Sequence, residues 1–212
     1  IQGQRVRGRG SNILMTKMTP YNKFTGQAKM NKIDKNMEDK YKVIIEIPQG
    51  TVNNKYEYDE KSGEFKLDFV FSAKGGSASG GKNVVWPFNY GFFPGTLGGD
   101  GDTMDAVVVS SEPIPQGTEV EVKIIGAIDV LDRGEEDLKV ICVPLHRMVQ
   151  GVLVNDAGYS SVNDITDLSG TQKKEWGDFY LELARQKKKE TIVRGFKTKK
   201  EAEDLLQKSV IS

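Results

Sequence analysis

The stretch Tyr41-Lys42-Val43-Ile44-Ile45-Glu46-Ile47 is dominated by β-branched residues, and this composition predicts a β-strand. Four later segments are also β-branched or alternate between apolar and polar residues, namely 64–71, 106–109, 119–130 and 138–143. Turn signals such as Lys61-Ser62-Gly63 and Arg133-Gly134 separate them. Several short strands at this spacing predict a small closed or nearly closed barrel.

The last third of the chain changes to helical spacing. Its apolar residues Trp176, Phe179, Tyr180 and Leu183 recur on one face, which predicts a helix over residues 171–188, with a capping box from Ser169 to Gln172. Thr198 and Glu201 have the same capping spacing and predict the start of a second helix. Strands first and helices last predict a mainly β, α+β fold with flanking C-terminal helices.

Length and composition limit the number of domains and the possible partners. A chain of 212 residues suits one domain, which we assign to residues 40–212, preceded by a basic N-terminal arm at 1–39 that we expect to be flexible. Thirty basic residues balance thirty acidic ones, so no nucleic-acid partner is expected. No apolar run reaches the roughly 20 residues that span a bilayer, so no membrane partner is expected. We predict a cytoplasmic protein; because the chain begins at Ile1, a processed organellar or exported form stays open.

The single cysteine and the single histidine exclude several kinds of site. Cys142 cannot form an internal disulfide and lies in an apolar run, which predicts a small buried side chain. With His146 as the only histidine, a multi-histidine zinc site cannot form.

The segment Asp100-Gly101-Asp102-Thr103-Met104-Asp105 places three carboxylates directly before an apolar strand. Close carboxylates repel by about 4 kcal/mol per pair at an effective dielectric of 20, so a folded chain keeps them together only with cations nearby. Oxygen ligands select hard ions such as Mg²⁺. A solvated turn is the alternative, and a calcium loop of the EF-hand type fits worse because Asp105 stands where that loop needs glycine.

Further charged and glycine-rich segments accompany this one. Glu46 stands between apolar residues, and Lys55 and Glu57 would share one face of an antiparallel strand. The segment 132–139 carries Asp132, Asp137 and Lys139. Residues 75–81 contain four glycines and predict a flexible loop; a phosphate-binding loop of the Walker type is not expected, because the segment does not end in Gly-Lys-Ser/Thr.

Taken in order, these motifs resemble the soluble inorganic pyrophosphatases of the first family. The resemblance runs from about residue 41 to residue 180, and Thr103 replaces the proline of the family signature Asp-x-Asp-Pro-x-Asp. The other matching motifs are Ile45-Glu46-Ile47-Pro48, Lys55-Tyr56-Glu57, Pro87-Phe88-Asn89-Tyr90-Gly91-Phe92, the set Asp132, Asp137 and Lys139, and Tyr180. The resemblance implies a five-stranded barrel of the oligonucleotide-binding (OB-like) kind and a homo-oligomer, either a hexamer or a dimer.

The same resemblance implies a role for each matching residue in magnesium-dependent hydrolysis of pyrophosphate to two phosphates. Asp102 would be the general base, and Glu46 and Glu57 would line the site. The metal ligands would be Asp100, Asp105, Asp132 and Asp137, with Asp105 bridging two ions. Pyrophosphate or phosphate would be held by Lys55, Tyr90, Lys139 and Tyr180.

Besides Thr103, three further positions depart from the family pattern. Phe69 stands where the family has an arginine, Leu181 where it has a lysine, and Trp86 where it has a tyrosine. Lys74 or Lys82, at the ends of the glycine-rich loop, are candidates to replace the missing cation. Three other functions stay open: a catalytically weakened relative that binds phosphate or metal, a barrel that binds single-stranded nucleic acid, and a hydrolase of organic phosphates.

Overall fold

The computed structural model describes residues 40–71, 83–149, 152–154 and 158–211. The N-terminal arm and the whole glycine-rich loop, with Lys74 and Lys82, lie outside these ranges. The described strands are β1 (Tyr41–Ile47), β2 (Asn54–Asp59), β3 (Glu64–Val70), β4 (Asn89–Phe92), β5 (Asp105–Val108), β6 (Glu119–Asp132), β7 (Glu135–Glu136), β8 (Lys139–Pro144), β9 (Arg147–Val149), β10 (Val152–Val154) and β11 (Thr191–Thr198). The described helices are α1 (Gly170–Lys187) and α2 (Lys199–Ser209), with a short 3₁₀ turn at Ile165–Asp167.

Five of these strands close into a ring. Going round it, β1 pairs with β4, β4 with β5, β5 with β8, β8 with β6, and β6 again with β1. Every pair in the ring is antiparallel except β5 with β8, which is parallel. The predicted five-stranded, OB-like closed barrel with C-terminal helices is confirmed.

The apolar side chains of the ring alternate between two buried clusters, as the two-residue period of a strand requires. Val107 and Ile141 belong to the cluster that packs against Trp176 and Tyr180 of α1. Val108 and Cys142 belong to the cluster that includes Ala202 and Leu206 of α2. Cys142 is a free, fully buried cysteine, as its apolar surroundings predicted.

The two helices begin where their capping residues predicted. The Ser169 side chain accepts the Gln172 N–H at the start of α1; this is one half of the predicted capping box. Thr198 and Glu201 form the complete box at the start of α2. In the described ranges, no helix combines the length and the apolar composition needed to cross a membrane.

Two strands that frame the site did not stand out in the sequence. β4 contains Gly91, and a Cβ atom at this position would lie 1.9 Å from the Ile44 carbonyl oxygen. Only glycine therefore permits β4 to pair with β1 at this point. β11 pairs with β6 from Thr191 opposite Asp132 to Thr198 opposite Gly126. It follows α1 directly and fixes the end of that helix against the ring.

Candidate active site

One cavity of about 610 Å³ opens where the ends of the ring strands meet the β2–β3 hairpin and α1. All eleven residues predicted for the site line it: Glu46, Lys55, Glu57, Tyr90, Asp100, Asp102, Asp105, Asp132, Asp137, Lys139 and Tyr180. They come from six separate segments of the chain, and the closed ring brings them to one end of the molecule.

The centre of the cavity is an ammonium group between two carboxylates. The parallel pairing of β5 with β8 sets Asp105 beside Lys139, and the Lys139 Nζ donates to both Asp105 and Asp137. Burial opposes the charge on Lys139, but the two carboxylates outweigh it and raise the lysine pKa above its usual value. Burial also raises the pKa of Asp137, helped by the negative charge of Asp105 and only partly offset by Lys139. The ammonium group thus neutralises charge that the site would otherwise carry uncompensated.

A turn before β5 carries the two other aspartates of the acidic segment. The Asp102 N–H donates to the Asp100 side chain at 3.1 Å, and the Asp102 carbonyl accepts the Gly98 N–H at 2.6 Å. Partial burial and the negative charges of Asp100, Glu57 and Asp105 raise the pKa of Asp102. Asp102 is therefore held facing other carboxylates, in surroundings that favour a proton on it.

The acidic side chains fit a hard divalent cation, although they do not yet form a coordination shell. Within the described part of the chain, no three carboxylate, histidine or cysteine side chains stand together closely enough to hold one ion. The donor atoms that face the cavity from the acidic segment are all oxygens, the type that magnesium and calcium prefer. Burial raises the pKa values of Asp102 and Asp137, and repulsion from neighbouring carboxylates adds to the effect. A cation between these groups would relieve that repulsion.

Glu46 is a buried acid at the floor of the cavity. It is only 6% exposed, and its Oε1 accepts the Tyr58 N–H at 2.6 Å. Burial raises its pKa to about 8, since the hydrogen bond from Tyr58 offsets only part of the desolvation and Asp105 adds repulsion. Nearby, Lys55 and Glu57 contact each other on one face of β2, as the strand period predicted.

Two buried tyrosines form the apolar wall of the cavity. Burial raises the pKa values of both Tyr90 and Tyr180 well above the usual range, and the negative charge of Asp105 adds to the effect. Tyr180 is 6% exposed, and its hydroxyl has no hydrogen-bond partner among the described residues. A buried hydroxyl without a partner is costly, so this group is positioned to bind a polar ligand atom.

Among the charged residues that line the cavity, Lys187 and Lys189 were not predicted from the sequence. Asp132 pairs with Lys189 at 2.6 Å and accepts the Thr191 hydroxyl at 2.9 Å. Burial opposes ionisation of Asp132, but these two partners outweigh it and lower its pKa. Lys187 also lines the cavity. It lies seven residues after Tyr180, two helical turns along, and that spacing on a predicted helix could have revealed it.

The three departures from the family pattern have different environments. Trp86 is buried, lines the cavity and donates its indole N–H to the Asn54 carbonyl at 3.0 Å. Leu181 is 43% exposed and is not among the residues that line the cavity. Phe69 packs on Phe71 with their ring centroids 4.9 Å apart. Neither Phe69 nor Leu181 can offer a cation to an anionic ligand.

Comparison with known proteins gives a consistent result. Residues 43–212 match the family described as inorganic pyrophosphatase. The inorganic pyrophosphatase of Saccharolobus solfataricus is 35% identical over 179 residues, covering 83% of this chain and 93% of that protein. The inorganic pyrophosphatase of Synechocystis sp. is 34% identical over 155 residues, covering 73% of this chain and 80% of the relative.

A solved structure has the same architecture. The inorganic pyrophosphatase of Thermus thermophilus superposes with a TM-score of 0.67 at 31% sequence identity, covering 84% of this chain and 94% of that one.

Proposed function

The chain belongs to the inorganic pyrophosphatase family and hydrolyses pyrophosphate to two phosphates, and we propose that it does so with magnesium ions held by the aspartates of the cavity. A single observation supports the proposal: acidic side chains and buried lysine and tyrosine side chains line the same cavity. The carboxylates require cations, and the lysines and tyrosines suit an anion.

Asp100, Asp105 and Asp137 would hold the magnesium ions, and Asp132 would join Asp137 on a further ion. When bound, the ions neutralise the charge of pyrophosphate and lower the pKa of the attacking water. Because Asp132 is already paired with Lys189 in this structure, the ion near it would compete with that lysine.

Four side chains would bind and orient the substrate. Lys139 is shared between Asp105 and Asp137, and with these carboxylates engaged as metal ligands its ammonium group would contact a phosphate oxygen. Lys55, which lies 3.2 Å from Asp68, supplies a second positive charge from β2. The unpartnered hydroxyl of Tyr180 and the buried Tyr90 would donate to phosphate oxygens. Positioning and charge stabilisation of this kind account for most of the rate in phosphoryl transfer.

Asp102 would accept the proton of the attacking water. Partial burial, followed by the charges of Asp100, Glu57 and Asp105, raises its pKa, and a general base is most efficient when its pKa approaches the working pH. Glu46 and Glu57 would line the site and orient water without taking the proton.

The test is the release of phosphate from pyrophosphate by the purified chain, first with magnesium and then with excess chelator. ATP and p-nitrophenyl phosphate serve as alternative substrates. Activity that needs magnesium and favours pyrophosphate supports the proposal. Faster hydrolysis of an organic phosphate points to a different substrate, and phosphate binding without turnover points to a weakened relative.

The remaining parts of the proposal concern assembly and compartment. We place the catalytic unit in residues 40–212, acting in the cytoplasm as a homo-oligomer, either a hexamer or a dimer, without nucleic acid. The family match from residue 43 and the balanced charge support these assignments. Analytical ultracentrifugation tests the oligomeric state, and cell fractionation tests the compartment. A mobility-shift assay at low salt tests whether the chain binds nucleic acid.

A further inference from the structure

The last turn of α1 directs a lysine over the phenylalanine that stands in place of the family arginine. The Lys187 Nζ lies 5.1 Å from the ring centroid of Phe69 and 5.9 Å from that of Phe71. Both distances are within the range of a cation–π contact. The Lys187 side chain is only 17% exposed and lines the same cavity as Tyr180. The two rings therefore hold the ammonium group at the cavity wall and away from bulk solvent.

The charges around Lys187 leave room for an anion. A β-bulge leaves Asp68 without a backbone register partner on β2. The Asp68 carboxylate lies 3.2 Å from the Lys55 ammonium group and 3.5 Å from that of Lys187. Asp68 is thus shared by two ammonium groups, of which Lys55 also contacts Glu57, whereas Lys187 has Asp68 as its carboxylate contact. Burial, followed by repulsion from Lys55, lowers the pKa of Lys187, and Asp68 offsets only part of this, so an anion bound beside Lys187 would stabilise its charged form.

We propose that Lys187 binds a phosphate of the substrate and supplies the positive charge that this chain lacks at Phe69. The proposal rests on pyrophosphate hydrolysis as the function of the cavity. Lys187 approaches the cavity from α1, whereas an arginine at position 69 would approach from β3. The phosphate site would therefore keep its positive charge, although the cation comes from α1 instead of β3.

The packing explains why the two arrangements exclude each other. The Lys187 Nζ lies only 5.1 Å from the Phe69 ring centroid, so the guanidinium group of an arginine at position 69 would come close to this ammonium group. Two cations there would repel, in addition to Lys55 nearby. Phenylalanine removes that repulsion and gives the lysine stem an apolar surface to pack on. Phe69 is then a positioning residue, and Lys187 is the group that touches phosphate.

The experiment compares Lys187→Met with Lys188→Met in the full chain. Lys188 is the exposed neighbour in the left-handed C-cap of α1, so its substitution removes the same charge from the same helix end without changing the cavity. We expect Lys187→Met to lower kcat/KM on magnesium pyrophosphate by about 10- to 100-fold, the effect of losing one charge-assisted hydrogen bond. It should also weaken inhibition by inorganic phosphate. Lys188→Met should stay within about twofold of wild type on both measures.

Two further variants test the location of the charge and guard against misfolding. Lys187→Arg keeps the cation and should retain activity within a few-fold of wild type, with an unchanged melting temperature. Phe69→Arg combined with Lys187→Met should recover at least tenfold over Lys187→Met alone; a double variant with no recovery overturns the shared location.

The outcomes separate this proposal from the one it rests on. A wild-type chain that releases no phosphate from pyrophosphate refutes the function itself. Normal wild-type turnover, with Lys187→Met indistinguishable from Lys188→Met, refutes only the role of Lys187.

Discussion

Glu46 should make the metal-free protein less stable as the pH rises, and its amide isostere should remove this dependence. The folded protein holds the Glu46 proton up to a pKa of about 8, whereas the unfolded chain releases it near 4.5. Between these values the unfolded state binds fewer protons than the folded state, so the free energy of unfolding falls as the pH rises. The loss begins near pH 4.5 and is complete near pH 8.

The size of the effect follows from the two pKa values. Each pH unit in this interval costs about 1.4 kcal/mol, so the full loss is on the order of 5 kcal/mol as an upper bound. Relaxation of the site lowers this, and we expect Glu46→Gln to be about 2–4 kcal/mol more stable than wild type at pH 8. The glutamine can still accept the Tyr58 N–H, so the local hydrogen bond is kept.

Urea unfolding at pH 5, 6.5 and 8, in the presence of chelator, measures the difference. Glu60→Gln is the matched control, because Glu60 is an exposed glutamate at the rim of the same cavity. We expect the advantage of Glu46→Gln to grow with pH and the control to show no such trend. An equal difference at all three pH values, or a more stable wild type at pH 8, would refute the reasoning.

Four other results are expected. Asp102→Asn should lower kcat by about 100-fold or more with little change in KM, because a general base acts in the transition state; steady-state kinetics with near wild-type turnover would contradict that role. Asp105→Asn should lower kcat and also raise the magnesium concentration needed for half-maximal rate, because Asp105 is the proposed ligand shared by two ions. An unchanged magnesium titration would contradict that bridging role. Magnesium should raise the melting temperature in a concentration-dependent way, because it binds the folded state preferentially, and scanning calorimetry measures this; no shift at saturating magnesium would count against the metal site. Thr198→Ala removes the cap of α2 and should cost about 1 kcal/mol, or about 2–4 °C in Tm, without lowering kcat; a reduced kcat with an unchanged Tm would show that the residue has another role.

The fold was predictable where local sequence and tertiary structure agree. The β-branched run of β1 and the long alternating run of β6 both predict strands, and the capping residues Ser169 and Thr198 mark the starts of the two helices. β4 could not be predicted because it is four residues long and contains a glycine, which propensity disfavours in strands. That glycine is required by the close approach of Ile44, and this contact depends on the closed ring.

Sequence motifs predicted which residues belong to the site, but they did not predict which of these side chains contact each other. The sequence places Asp105 before one strand and Lys139 at the start of another, and only the parallel pairing of these strands shows that the two side chains meet. The contact of Lys187 with Phe69 likewise joins residues more than one hundred positions apart. Interactions of this kind depend on how α1 packs on the β2–β3 hairpin, and no local pattern encodes them.

Closure of the ring also constrains the order in which the chain folds. Tyr41 of β1 pairs with Val122 of β6, so β1 leaves the ribosome long before its second neighbour is synthesised. Until then, β1, β4 and β5 can pair with one another, but the free edge of β1 stays open to other chains. β6 later pairs with β1, β7, β8 and β11, so much of the sheet depends on the arrival of one strand. Such distant pairings slow folding, and the interval before β6 emerges is when the nascent chain most needs protection from aggregation.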